Sequence, residues 1–374
     1  MAGIYLHIPF CKQACSYCDF HFSTNLKTQD DVLALMRQEL TKRANELQDE
    51  LVDTIYFGGG TPSIIGSNDI ASFIQTIATN YSLSDNLEVT LETNPDDINL
   101  QKLRSWKDAG INRLSIGVQS LDDKVLRWMN RSHDAKQAQE AVELSLSQGF
   151  ETSTIDLIYG MPDISQDEWE NTLAYVSECG INHVSAYNLT VETGTVLAHR
   201  ISKGTQVAPD DHTGSVHFGM LVDVLGTNGW EHYEVSNFAK PGFRSKHNSN
   251  YWERIPYVGI GPGAHSFHQN VRRWNVSSNQ HYLKHYEHGT YFETEELTRT
   301  DRINEIIMLG LRTAKGVNLA ALLAEGFDIL QERTQYLERA SGKGMLQVVD
   351  EHLRTTREGL YFADRIASDL FLVS

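Results

Sequence analysis

Short apolar or β-branched runs alternate with longer stretches of helical periodicity through the first half of the chain. The runs Gly3–Ile8, Thr54–Phe57, Leu87–Glu92, Arg113–Gly117, Thr154–Ile158 and His183–Asn188 have strand length and strand composition. Between them, amphipathic patterns over Asp30–Leu47, Ser67–Asn80, Leu100–Ala109, Ala135–Gln148 and Gln166–Glu178 predict helices. Such alternation is the pattern of a parallel α/β fold. Polar residues gather just after the strand ends, where a barrel or partial barrel builds its active site. An open doubly wound sheet would give the same alternation.

The pattern then loosens. Residues 190–290 are richer in Gly, Pro, His and aromatics, with one good helical stretch at Asp210–Gly226. After Leu297 come helical stretches at Asp301–Arg312, Leu319–Glu325 and Ile329–Ser341, strand-like runs at Met345–Val349 and His352–Thr355, and a last helix from Glu358. Helices followed by a small β-ribbon predict a winged-helix-like α+β module; its mixed charge favours a packing or lid role over DNA binding. The chain thus divides into a core domain over 1–235, a connecting segment over 236–295 and a C-terminal domain over 296–374.

At 374 residues, one large domain plus a smaller one is the natural expectation. A net charge of −17 argues against a broad phosphate-binding surface, and so against nucleic acid as a partner. The N-terminus lacks the basic segment and apolar run of a signal peptide, and no stretch approaches the roughly 18 apolar residues of a membrane span. A cytoplasmic protein is expected.

Three of the four cysteines fall within eight residues, as Cys11-x-x-x-Cys15-x-x-Cys18 directly after the first strand run. A structural zinc site would want a fourth Cys or His, which only the adjacent His21 could supply. A disulfide knot suits short, cysteine-dense chains instead. Three thiolates on a four-iron cluster leave one iron without a protein ligand, open to a substrate or cofactor. Cys179, at the end of a helical pattern, reads as an inert core thiol.

Further chemistry follows the strands. Gly58-Gly59-Gly60-Thr61-Pro62-Ser63 lets backbone approach a ligand closely, or else makes a tight turn. Glu92, Gln119 and Asp156 recur at successive strand ends; each alone reads as a structural hydrogen bond or cap, and their recurrence favours a shared ligand. Arg131 could meet a carboxylate through a bidentate contact. His247-Asn248-Ser249-Asn250-Tyr251-Trp252 joins an imidazole able to ligate heme iron to aromatics able to pack on a macrocycle. Alternatively, His247 and Asn248 line the pocket's end while Tyr251 and Trp252 fill core. His265 and His268 are rivals for the same role.

The series YLHIPFCKQACSYCDF, GGGTPS, ETNP, GVQS, NR, IDLIYGMP and HNSNYW resembles the radical S-adenosylmethionine (SAM) proteins, in particular the HemW heme chaperones related to the oxygen-independent coproporphyrinogen III oxidase HemN. The resemblance spans most of the chain. It implies a partial (β/α)6 barrel with a small C-terminal domain, and a [4Fe–4S] cluster on Cys11, Cys15 and Cys18. It places SAM on Tyr5, Gly59, Gly60, Thr61, Glu92, Gln119, Arg131 and Asp156, and associates His247 with heme. The oxidase pattern continues with a further cysteine where this chain has Phe20, and it carries a longer N-terminal extension. Heme delivery to acceptor proteins therefore ranks above oxidase-like chemistry on a tetrapyrrole, with an electron donor as a further partner and membrane contact only through acceptors.

Overall fold

The computed structural model describes residues 1–162 and 164–373. Six parallel strands lie side by side in chain order: β1 (Ala2–Ile8), β2 (Val52–Gly59), β3 (Leu83–Thr93), β4 (Arg113–Gln119), β5 (Thr154–Tyr159) and β6 (His183–Asn188). Helices α1 (Gln29–Lys42), α2 (Ser67–Asn80), α3 (Leu100–Asp108), α4 (Asp123–Trp128), α5 (Ala135–Ser147) and α6 (Gln166–Glu178) occupy the crossovers. Sequential parallel order with crossovers of one hand curls the sheet into an arc, with every helix on its outer face. This is the partial (β/α)6 barrel.

Strand alternation fixes the two faces. Ile4, Leu6 and Ile8 of β1, Ile55 and Phe57 of β2, and Leu114 and Ile116 of β4 point outward into one continuous apolar core with the helices. Their neighbours point inward, and apart from Ile158 these are glycine, polar or hydroxyl-bearing: Tyr5 and His7, Thr54 and Tyr56, Glu88 and Glu92, Arg113 and Ser115, Asp156, His183. A closed (β/α)8 barrel fills its centre with branched apolar side chains. Here the centre is polar, so a ligand can occupy it.

Two outcomes depart from the sequence reading. The first is α4, too short for its periodicity to register, although Asp122 caps it by accepting from the Lys124 and Val125 amides. The second concerns the segment read as a connector, which belongs to the main sheet. After α7 (Val196–Ser202) and α8 (Asp211–Thr227), strands β7 (Glu231–Glu234) and β8 (Asn237–Ala239) extend the β6 edge. Helix α9 (Lys246–Trp252) follows, and β9 (Tyr257–Ile260) pairs in parallel with β1 at the opposite edge. Strands β10 (His265–His268) and β11 (Val271–Asn275), helix α10 (Asn279–His285) and strand β12 (Phe292–Glu296) complete a 12-stranded sheet. These strands are short and edge-like, with four to five residues each from β9 onward, so they carry little periodicity.

The C-terminal region begins with α11 (Arg299–Leu311) and has its own apolar cluster and a three-stranded antiparallel sheet, Val317–Asn318, His352–Thr355 and Leu346–Val349. It packs against the foot of the barrel. The Val235 amide donates to Arg312 O at 2.7 Å and the Ala314 amide to Tyr233 O at 3.0 Å. Glu305 of α11 sits between Arg254 and Arg272, a buried carboxylate shared by two guanidinium groups. Among the described residues, no helix is long and apolar enough to cross a membrane.

Candidate functional site

The loop carrying Cys11, Cys15 and Cys18 leaves β1 at the mouth of the barrel and is fastened from both sides. The Ser16 amide donates to Met129 O at 3.1 Å, Asn130 Nδ2 to Ala14 O at 2.7 Å and Gln13 Nε2 to Asn130 O at 2.8 Å. Asn130 holds φ at 60°, a left-handed turn that Asn tolerates better than most residues. On the other side Lys12 reaches Asp96 at 3.0 Å and also the buried Asp97, which Lys102 and Ser63 Oγ engage at 3.0 and 2.7 Å. The loop is thereby clamped between the ends of β3 and β4.

Each thiol sits next to a donor or is partly withdrawn from water. Thr61 Oγ1 donates to Cys11 Sγ and Arg131 Nη1 to Cys15 Sγ, both at 3.4 Å. Burial pushes the Cys11 thiol up to about 11 and Cys18 up to about 12. Thiols held this high stay protonated until a metal displaces the proton. His21 is turned away: its Nε2 is bonded to Asn279 Oδ1 at 2.8 Å. An imidazole engaged in this way is not offered to the thiols as a fourth ligand, which suits a cluster with one iron left to another ligand.

The glycine run does what its spacing implies. Gly59 has φ of 112°, and a Cβ on Gly60 would meet Phe10 O at 2.6 Å and Cys11 Sγ at 3.0 Å. The backbone of β2 thus passes directly under the cysteine loop. Glu92 accepts from the Gly59 amide at 3.1 Å and from Tyr56 Oη at 2.9 Å. Inside the barrel its carboxyl is raised to about 7, by loss of hydration first and by the nearby Asp156 second. Asp156 accepts from Ser115 Oγ at 2.8 Å and is raised to about 6, again chiefly by burial. Two carboxyls strained in this way would be relieved by a cationic ligand.

Gln119 and Arg131 complete the mouth. Gln119 has φ of 65°, and its amide lies where a side chain on Gly117 would project, 2.9 Å from that position. Arg131 Nη2 donates to Asn94 Oδ1 at 2.7 Å and to Gly117 O at 2.8 Å, while its Nε is buried without a partner. An orphaned guanidinium hydrogen beside a cysteine sulfur is unused capacity for an anionic ligand group. Tyr5 stacks on Tyr56 with ring centroids 6.0 Å apart, its hydroxyl 3.2 Å from His7 Nδ1. All the residues read from the motifs as cluster or SAM contacts therefore converge on one mouth. The sequence reading missed Tyr56, Ser115, Asn94 and Asn130. Period-two alternation from Gly58 and Gly117 would have placed Tyr56 and Ser115 on the inner face; Asn94 and Asn130 lie in loops and carry no such signal.

His247 lies elsewhere. Helix α9 closes the floor, at the N-terminal ends of the strands. The His247 and Lys246 amides donate to the Glu88 carboxylate at 3.0 and 3.1 Å, so this carboxylate caps the helix. The imidazole is 2% exposed, with Nδ1 bonded to Thr54 Oγ1 at 2.8 Å and Nε2 to Tyr251 Oη at 2.9 Å. It stacks on Tyr56 at 4.8 Å, and burial lowers its proton affinity to about 3. With both nitrogens engaged and the ring enclosed, His247 offers no lone pair to an iron. It acts as a plug, with Tyr251 packed edge-on against it at 4.8 Å, while Trp252 lies under the Arg312 guanidinium.

Residues 5–176 match the radical SAM superfamily and residues 297–362 the HemN C-terminal domain. The chain is 33% identical over 362 residues to the heme chaperone HemW of Lactococcus lactis, covering 96% of this chain and 93% of that protein. Against the heme chaperone HemW of Escherichia coli it is 31% identical over 379 residues, covering 99% and 98%. Among solved structures it superposes on coproporphyrinogen III oxidase HemN of E. coli, described as a radical SAM enzyme, with a TM-score of 0.83 over 99% of this chain and 90% of that one; at 22% identity the likeness concerns the fold alone. The chain belongs to the HemW family of the radical SAM superfamily.

Proposed function

We propose that this chain is a cytoplasmic heme chaperone, which binds heme and passes it to acceptor proteins. The observation that carries the reading is the end-to-end similarity to proteins named heme chaperone, through the C-terminal domain as well as the barrel. Cys11, Cys15 and Cys18 hold the [4Fe–4S] cluster, and the residues present fit it: three thiols on one clamped loop with hydroxyl and guanidinium donors at their sulfurs. SAM would be held at the mouth by Tyr5, Gly59, Gly60, Thr61, Glu92, Gln119, Arg131 and Asp156. Arg131 suits its carboxylate, and the raised carboxyls of Glu92 and Asp156 suit its cationic centres.

When bound, the cluster and SAM supply one-electron reduction and radical generation. The protein's part is to fix the thiols, exclude bulk water from the inner face, and hold Glu92 and Asp156 where a cation favours their ionised forms. Anaerobic reconstitution followed by heme titration and transfer to an apo-acceptor tests the proposal. Saturable heme uptake with transfer that needs the intact chain supports it; absence of saturable uptake refutes it.

The intact SAM-ready mouth favours a second reading, an enzyme acting on a tetrapyrrole. Product formed in step with 5′-deoxyadenosine, given reductant, SAM and coproporphyrinogen or heme, would establish it. Uncoupled SAM cleavage would not.

A further inference from the structure

An imidazole that ligates heme iron must be neutral, with a free nitrogen, and is best placed beside a flat apolar surface. Several histidines fail the first condition: His7, His183 and His247 are buried with both ring nitrogens bonded to protein groups. The exposed His281 lies tilted against another imidazole, His285, at 4.1 Å, and among the described residues no carbocyclic ring pairs with it. His265 meets both conditions. It is exposed, and among the described residues neither of its ring nitrogens is hydrogen-bonded to protein. Its ring lies against Trp274 with centroids 6.3 Å apart and planes 24° from parallel.

Strand register places this pair on the inner face of the barrel sheet. Gly3 of β1 pairs with Tyr257 of β9, so Tyr257 shares the face of Tyr5 and His7. Tyr257 pairs with Phe267 of β10, and His265 stands two residues from Phe267 on that side. Across the next pairing, His265 faces Trp274 and Phe267 faces Arg272. The polar inner face thus runs on past β1 into an aromatic surface bearing one free imidazole. Gly259 pairs with Tyr5 and His265 lies against Gly259, so His265 stands level with Tyr5 along the barrel.

The base beneath is rigid. A Cβ on Gly259 would fall 1.9 Å from His265 O, so only glycine lets the β9–β10 turn close this tightly. Arg43 holds Gly259 O at 2.7 Å and Ser266 Oγ at 2.9 Å from the far side, and Glu39 accepts from the Gly261 amide at 3.0 Å. A ligand carried on such a brace keeps its orientation.

We propose that His265 ligates the iron of heme docked on the inner face of β10 and β11, with Trp274 packed against the macrocycle. The inference rests on the heme-chaperone reading and assigns that cargo its place. Partial loss of hydration against the sheet, and then the adjacent Arg272, lower the proton affinity of His265, which favours the neutral imidazole that coordinates metal.

The test is anaerobic titration of ferric heme into the cluster-reconstituted full chain, read by absorption and low-temperature EPR, in wild type, His265→Ala, His265→Met, Trp274→Ala and His247→Ala. Wild type and His247→Ala should show the same histidine-ligated spectrum. His265→Ala should lose that spectrum and bind about tenfold or more weakly, and His265→Met should change it to a thioether type. Trp274→Ala should keep the spectrum while losing affinity. His265 is exposed, so its variants should fold, which circular dichroism checks. Wild-type spectra and affinity in both His265 variants would overturn the assignment and leave the chaperone reading standing. A wild type without saturable uptake would overturn both.

Discussion

The mouth and the floor of this barrel are built from the same kinds of residue and behave in opposite ways. At the floor Glu88, Arg113, His183 and His247 are all satisfied by protein partners. Glu88 caps α9, His247 is bonded at both nitrogens, and Thr154 Oγ1 is joined to Arg113 and, through His183, to Tyr233. Here Arg113, His183 and His247 are at most 2% exposed. At the mouth Arg131 keeps an unpartnered Nε, Glu92 and Asp156 are held as strained acids, and the Cys11 and Cys18 thiols carry protons they would yield to metal. Polar groups that satisfy each other make structure; polar groups left unsatisfied inside an accessible cavity mark the place of a ligand.

The difference can be broken experimentally at either end. Cys15→Ala should have the largest effect, removing nearly all cluster iron, whereas His247→Ala should retain it; iron and sulfide analysis after reconstitution reads both. A His247→Ala chain without its cluster would mean that floor and mouth are one cooperative unit. On stability the order reverses. His247→Ala deletes a buried ring and strands Thr54 and Tyr251, at a cost of about 2–4 kcal/mol in denaturant unfolding.

Glu92 sharpens the contrast through pH. Its folded-state value of about 7 lies above the unfolded 4.5, so the folded chain binds the extra proton between these limits. The share of stability that depends on Glu92 should therefore fall as pH rises through that window in the SAM-free protein, and the share that depends on Asp156 should fall between 3.8 and about 6. SAM should blunt the loss, and Glu92→Gln should flatten it. Denaturation midpoints of wild type and Glu92→Gln from pH 5 to 8 measure this, and a wild-type midpoint that does not fall relative to that of the variant as pH rises would contradict the strained-acid account. The smallest effect belongs to Tyr251→Phe, which removes one hydrogen bond to His247 and should cost about 1 kcal/mol with no change in heme uptake.

Much of this molecule was written along the chain. Strands β1 to β6 and their long helices follow from period-two and 3.6-residue patterns, which depend only on local sequence. The cysteine spacing and the glycine run fixed the cofactor chemistry, because a cluster-binding loop and a close backbone approach are both local demands. Tertiary structure decided the rest. It joined β9–β12 to β1, from more than 200 residues away in sequence, through pairings that no local pattern encodes. It also decided between histidines. His247 has the more suggestive motif, but Thr54 and Tyr251 consume its lone pair and its proton; His265, in a plainer context, is left free on the inner face. What a side chain can bind depends on which of its hydrogen bonds the fold has already used, and that is settled only when distant strands meet.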